Sequence, residues 1–189
     1  KAALVDRNGR ITASEFEPTP LDIQGDGAAE QDPDAWWQAI TVAVRAVVDN
    51  GGVPADQIVA VSITSQWSGM VAVDETGQHL YPAVIWMDSR GAPYVHDLVS
   101  AKINVAGYHP LRLKSWIQKT GGIPSHSGKD PIGHILWLRH ERPEVYSSTR
   151  YFLEPCDYLN ARLTGRICAS YDSIVAHWLT DNRALGRVT

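Results

Sequence analysis

The chain reads as an α/β fold, and three stretches say so. Asp6-Arg7-Asn8-Gly9 lies between the apolar runs 2–5 and 11–16, and an Asn-Gly pair in that setting marks a hairpin because both residues tolerate positive φ. Asp32-Pro33 opens a helix, the aspartate as cap and the proline at the first helical position, where its missing N–H costs nothing. The runs 58–63, 70–73 and 83–86 are short, apolar and separated by polar and turn-forming residues, the pattern of consecutive strands. Hairpin, helix and strands in that order fit a sheet covered by helices.

The remaining elements follow in order. Residues 17–30 are polar and rich in Gly, Asp and Pro and read as a loop. The helix from Asp32 carries Trp36, Ile40, Ala43, Val44 and Val47 as its apolar face, Trp37 packs beside it, and Gly51-Gly52 ends it. Residues 53–57 form a turn into the strand at 58–63, and Asp74-Glu75-Thr76-Gly77 turns the chain between two strands. After Arg90 the character becomes helical, with helices over 91–100 and 110–120, the second closed by Gly121-Gly122. Asp130-Pro131 starts another helix that runs to Glu141 and stops before Pro143, 151–153 is a short strand, and 157–163 a helix ended by Gly165. The expected organisation is one partial domain over 1–189: a sheet core over 1–90, a mainly helical insertion over 91–165, and the start of a return to the core over 166–189. The chain opens inside a strand without a methionine and closes in a polar segment, so a fragment is expected.

A chain of 189 residues that is 44% hydrophobic supports a sizeable core. Its net charge of −4, with both signs interspersed, offers no basic stripe for nucleic acid. No run approaches the roughly 18 apolar residues of a membrane span, and no secretory leader opens the chain; the expected compartment is the cytoplasm. Cys156 and Cys168 stand apart, without CxxC or clustered histidines, so neither a zinc site nor a disulfide framework is expected and no metal ligands are assigned.

Two strand tips carry chemistry. Thr64-Ser65-Gln66-Trp67-Ser68-Gly69 follows the first apolar run and Trp86-Met87-Asp88-Ser89-Arg90 ends the third, so polar groups, each with a tryptophan, interrupt otherwise apolar strands. A polyol presents apolar C–H faces and a rim of hydroxyls, and its site needs flat aromatic faces with fixed donors and acceptors. Trp67 and Trp86 supply faces; Gln66, Ser68 and Asp88 supply a rim, with Gly69 beside them. The competing reading makes both tryptophans core residues and 64–69 an ordinary loop.

The stretch 58–90 resembles the sugar-binding segment of the FGGY-type carbohydrate kinases, and Lys1-Ala-Ala-Leu-Val-Asp6, Gln31-Asp-Pro-Asp-Ala-Trp-Trp37, residues 128–141 and Leu153-Glu-Pro-Cys-Asp-Tyr-Leu-Asn-Ala-Arg-Leu-Thr-Gly165 match in the family's order. The resemblance implies a ribonuclease H-like (actin-like ATPase) domain, a mixed sheet with helices on both faces plus a helical insertion. It implies transfer of the ATP γ-phosphate, with Mg2+, to a hydroxyl of a small sugar or polyol, and it allows a homodimer. It places Lys1 at a phosphate-binding position and puts the general-base aspartate downstream, so no catalytic residue is assigned within the chain.

This sequence departs from the family in places. His134 stands three before Trp137, where the family carries lysine. Gln66-Trp67-Ser68-Gly69 matches neither the Gln-Met-His-Gly type of xylulokinases nor the Gln-Arg-Glu-Thr type of glycerol kinases, though its glycine leans toward a xylulose-like substrate. A non-catalytic sugar-binding or regulatory module of the same fold is the alternative. Glu154 and Asp157 read as structural, Asp157 as the holder of a helix start.

Overall fold

The computed structural model describes residues 1–183 and the backbone of 184, 187 and 188. The chain opens with the expected hairpin: β1 (Ala2–Val5) pairs antiparallel with β2 (Ile11–Glu15). Gly9, at φ +79°, supplies the left-handed backbone of the turn. Within the segment expected to be a loop, β3 (Asp22–Ile23) and β4 (Ala29–Gln31) pair as two short antiparallel strands.

Helix α1 (Pro33–Asn50) begins as its sequence dictates, with the Asp32 side chain accepting the Asp34 N–H at 2.9 Å. Its buried face is Pro33, Trp36, Ala39, Ala43 and Val47. Val44, expected on that face, is instead 44% exposed. The buried stripe follows i, i+3, i+7 and i+11 from Trp36, and Val44 lies just off it.

The run 58–63, expected to be a strand, forms none, and Val59 and Val61 are 91% and 74% exposed. Its composition suits a strand, but among the described residues no strand pairs with it, and a strand exists only as one half of a pair. Beyond it, β5 (Val71–Val73), β6 (Ala83–Val84) and β7 (Tyr151–Leu153) form the centre of the domain. Strand β6 pairs with β4, β5 pairs with β7, and the Met70–Val84 bridge joins β5 to β6. All described pairings are antiparallel.

The central strands are buried on both sides, which explains why they read as unbroken apolar runs. Val71, Val73, Ala83 and Ile85 pack with Trp36 of α1 and with Tyr158 and Leu159 of α6 (Pro155–Thr164). Ala72 and Val84, one residue out of step, face Trp137 and Leu138 of α4 (Pro131–Glu141). Period-2 alternation thus divides one set of strands between two clusters, with helices on both faces as expected. Burial of each valine contributes roughly 1.5–3 kcal/mol.

The helical segment holds α2 (Ala92–Val99), α3 (Pro110–Thr120), α4 and α5 (Pro143–Ser148). Pro143, expected only to stop α4, also starts α5. Helix α6 begins at Pro155 with Glu154 as its cap residue, so Asp157 sits within the first turn, and its Oδ2 instead accepts a hydrogen bond from Ser173 Oγ at 2.6 Å. Three glycines bring backbones together: a Cβ on Gly91 would lie 2.4 Å from Gly133 O, one on Gly133 2.3 Å from Gly128 O, and one on Gly128 2.1 Å from Ala92 N. This contact seats the start of α2 and the turn before α4 against each other.

Candidate functional site

The Met70–Val84 bridge, with N–H···O distances of 2.7 and 3.0 Å, sets the geometry of the two tips. Antiparallel pairing there means that the chain enters through Gln66-Trp67-Ser68-Gly69 and leaves through Trp86-Met87-Asp88 at the same end of β5 and β6. Both tryptophans remain open, Trp67 59% and Trp86 50% exposed, rather than sealed in the core.

The first tip is held at three points. Gln66 Nε2 donates to Gln31 Oε1 of β4 at 2.7 Å. Ser68 Oγ donates to Lys129 O at 3.1 Å. The Gly69 N–H donates to the buried carboxylate of Glu154 at 3.2 Å. Ser68 has φ +61°, a conformation costing roughly 1–2 kcal/mol for a residue with a Cβ, and the contacts on either side hold it there. Gly69 abuts α6, since a Cβ on it would lie 2.7 Å from Pro155 Cγ.

The second tip is held by Asp88, which is fully buried. Its Oδ2 accepts the Ala29 N–H at 2.9 Å and Arg90 Nε at 2.8 Å, and its Oδ1 accepts the Arg90 N–H at 2.9 Å. The rim contact expected of Asp88 gives way to a rear support, because both oxygens serve the protein itself. Arg90 also pairs with Glu30 at 2.5 Å. Burial opposes the Arg90 charge, but its two carboxylate partners outweigh burial and push its pKa up.

Two buried histidines lie behind these loops. His134, fully buried, has Nε2 3.4 Å from Asp88 O, and burial pushes its pKa down to about 4. His177 brings Nε2 to 3.3 Å from Glu154 Oε1, out of line for a hydrogen bond; neither atom has another partner among the described residues. Burial pushes the Glu154 carboxyl above the ordinary value, against the opposing pull of His177 and the Gly69 N–H. Burial also raises the Cys156 thiol, aided by Asp157 and Asp172, which disfavours the thiolate.

Lys1 is exposed and lies beside the first tip. It borders a hollow of about 220 Å³ with Phe16, Trp36, Ser65 and Pro155. Sequence reasoning passed over Lys129 and the rear groups Arg90 and His177; Lys129 had a signal, as the lone cation in a small polar stretch. One trio of metal-ligand types, Asp32, Asp34 and His79, lies within 4.8 Å. Asp32 is engaged as the α1 cap, and Asp34 pairs with Arg162 at 3.0 Å, so the trio is already partnered.

The sequence model described as the FGGY family of carbohydrate kinases, N-terminal domain, matches residues 1–184. The chain belongs to that family. This FGGY domain is 35% identical over 167 residues to a xylulose kinase of Streptomyces rubiginosus, covering 88% of the chain and 31% of the relative. It is 30% identical over 172 residues to a xylulose kinase of Bacillus subtilis, covering 90% and 32%. The chain therefore spans about a third of the length of these relatives. Two solved structures share its fold: a ligand-bound xylulose kinase of Lactobacillus acidophilus (TM-score 0.81, 22% identity, 98% of this chain and 35% of that one) and a glycerol kinase of Plasmodium falciparum with ADP (TM-score 0.82, 21%, 99% and 36%). The actin-like ATPase fold expected from the sequence is thus the fold found. Among the described residues, no helix is long and apolar enough to cross a membrane.

The family implies ATP and a divalent metal, yet the described residues do not make a cradle for them. Among the described residues, Lys1 is the only lysine or arginine at the hollow beside the first tip, and Asp34 of the one metal-type trio is ion-paired with Arg162. The groups gathered at the two tips are exposed aromatic faces, a fixed amide and a hydroxyl, supported from behind by carboxylates.

Proposed function

We propose that the complete protein carrying this domain is an ATP-dependent carbohydrate kinase that phosphorylates a hydroxyl of a sugar or polyol, a xylulose-like ketose being favoured. Gln66, Trp67, Ser68, Gly69 and Trp86 form part of the sugar floor, and Asp88 supports it from behind. The observation that carries this reading is the pair of half-exposed tryptophans, Trp67 and Trp86, at one end of the bridged strands β5 and β6. The xylulose kinase relatives support the substrate class.

The residues described here bind and orient. A ketose ring or chain lies its C–H face on an indole while its hydroxyls meet Gln66 and Ser68, and a wrong isomer leaves one of these groups unpaired. Asp88 and Glu154, the carboxylates bonded to the two loops, are buried and engaged with backbone N–H groups, so neither is offered as the base that accepts the hydroxyl proton. That base and most nucleotide contacts are assigned outside these residues, and this chain alone would not turn over. A cytoplasmic enzyme using ATP and Mg2+ as co-reactants fits this reading.

The test is ATP consumption by the complete gene product across ketopentoses, polyols and aldonic acids. Sugar-dependent turnover strongest with a ketopentose is expected; ATP turnover indifferent to every sugar would reject the assignment.

A further inference from the structure

Glu154 is 2% exposed and faces a site loop rather than solvent. It caps α6 by position but makes no side-chain bond within that helix. Its Oε2 reaches across to the Gly69 N–H at 3.2 Å, between residues 85 apart in sequence. The second oxygen meets His177 Nε2 at 3.3 Å. His177 is itself 6% exposed and precedes Trp178, whose φ of +59° is an outlier for so bulky a residue. A buried carboxylate without local use, aimed at a loop amide and backed by a buried imidazole beside a strained residue, is costly to keep. Apolar packing would serve helix α6 better.

We infer that Glu154 is a positioning residue for the sugar-binding reading of the previous subsection: it fixes Gly69, and through it Ser68 and Trp67, from beneath, with the buried His177 ring packed beside the carboxylate. Ser68 sits in a left-handed conformation directly before Gly69, so the Gly69 N–H bond sets where the Ser68 hydroxyl and the Trp67 ring emerge. The charged and titratable groups around the pair are Asp157 and Cys156 on α6 and His134 on α4, the last of which also faces Asp88 and Arg90 of the second tip. Both loops of the site therefore rest on buried carboxylates, Asp88 under one and Glu154 under the other.

The inference rests on the kinase reading for its purpose but not for its test. In the complete gene product, Glu154→Gln keeps an oxygen for the Gly69 N–H, and Glu154→Leu removes it at similar size. Amide hydrogen exchange of the peptide spanning residues 66–69 should quicken about tenfold in the Leu variant and stay near the parent rate in the Gln variant. Exchange unchanged in both, or quickened equally in both, overturns the inference whether or not any sugar is phosphorylated. With an active parent, the sugar KM of the Leu variant should rise about tenfold while the nucleotide KM and kcat move less than about threefold, and Gln should restore it. Equal rises in both KM values would also overturn it. A parent inactive on every sugar refutes the kinase reading, and the exchange measurement still decides the role of Glu154.

Discussion

The Arg90 guanidinium lies 3.6 Å from the centroid of the Trp137 ring while its Nη2 stands 2.7 Å from Asp88 Oδ2. One cation thus joins the second tip to helix α4, by stacking on one side and charge pairing on the other. Removing the anion would leave a half-buried cation with Glu30 alone. Asp88→Asn is expected to destabilise the domain by about 3–5 kcal/mol, read as a lowered denaturation midpoint. A loss below 1 kcal/mol would mean that Asp88 is not the anchor.

Trp86 is half exposed, so its replacement should spare the fold and hurt binding. Trp86→Ala in the complete gene product should raise the sugar KM about ten- to hundredfold, the loss of roughly 1.5–3 kcal/mol of aromatic contact, and leave the nucleotide KM near its parent value. Steady-state kinetics with each substrate varied in turn separates the two, and equal effects would remove Trp86 from the pocket.

His134 gives a signed pH dependence. Its pKa falls from 6.5 to about 4 on folding because burial disfavours the charged ring, against the attraction of Asp88, with Arg90 and His177 adding to the fall. A depressed pKa means that its stabilising contribution is complete above pH 6.5 and lost as pH falls toward 4, about 3 kcal/mol in all. Glu154 and Asp157 act oppositely, since burial raises their pKa values. The clean quantity is therefore the difference in unfolding free energy between the parent and His134→Phe, which should shift against the parent by that amount between pH 6.5 and 4. A flat difference would contradict the assignment.

Gly133→Ala tests the glycine contact. Alanine normally gains about 0.5–1 kcal/mol over glycine inside a helix, but here the new Cβ would stand 2.3 Å from Gly128 O, backbone that cannot swing aside. A net loss of about 1–3 kcal/mol is expected. Gly25→Ala, whose Cβ would meet nothing within 4 Å, should stay within about 0.5 kcal/mol of the parent. Thermal melts of the two variants side by side make the comparison.

Local chemistry made much of this legible. The starts of α1 and α4 follow from Asp-Pro pairs, and the ends of α3 and α6 from Gly121 and Gly165, both left-handed. What failed was non-local. The run 58–63 has strand composition, but pairing depends on what lies beside it; β3 and β4 are too short to leave a periodic signal. The two tips stood out as polar interruptions of apolar runs. The burial of Asp88 did not, because its partner Ala29 lies 59 residues away, and the reach of Glu154 to Gly69 was hidden for the same reason.

The exposed stretch from Val59 to Ser62 has a practical outcome. Val59 and Val61 stand in water on a segment that pairs with no strand among the described residues, the combination that recruits another polypeptide edge-on. Prepared by itself, this chain should grow stickier as it is concentrated, and a lysine at position 59 or 61 should keep it dispersed.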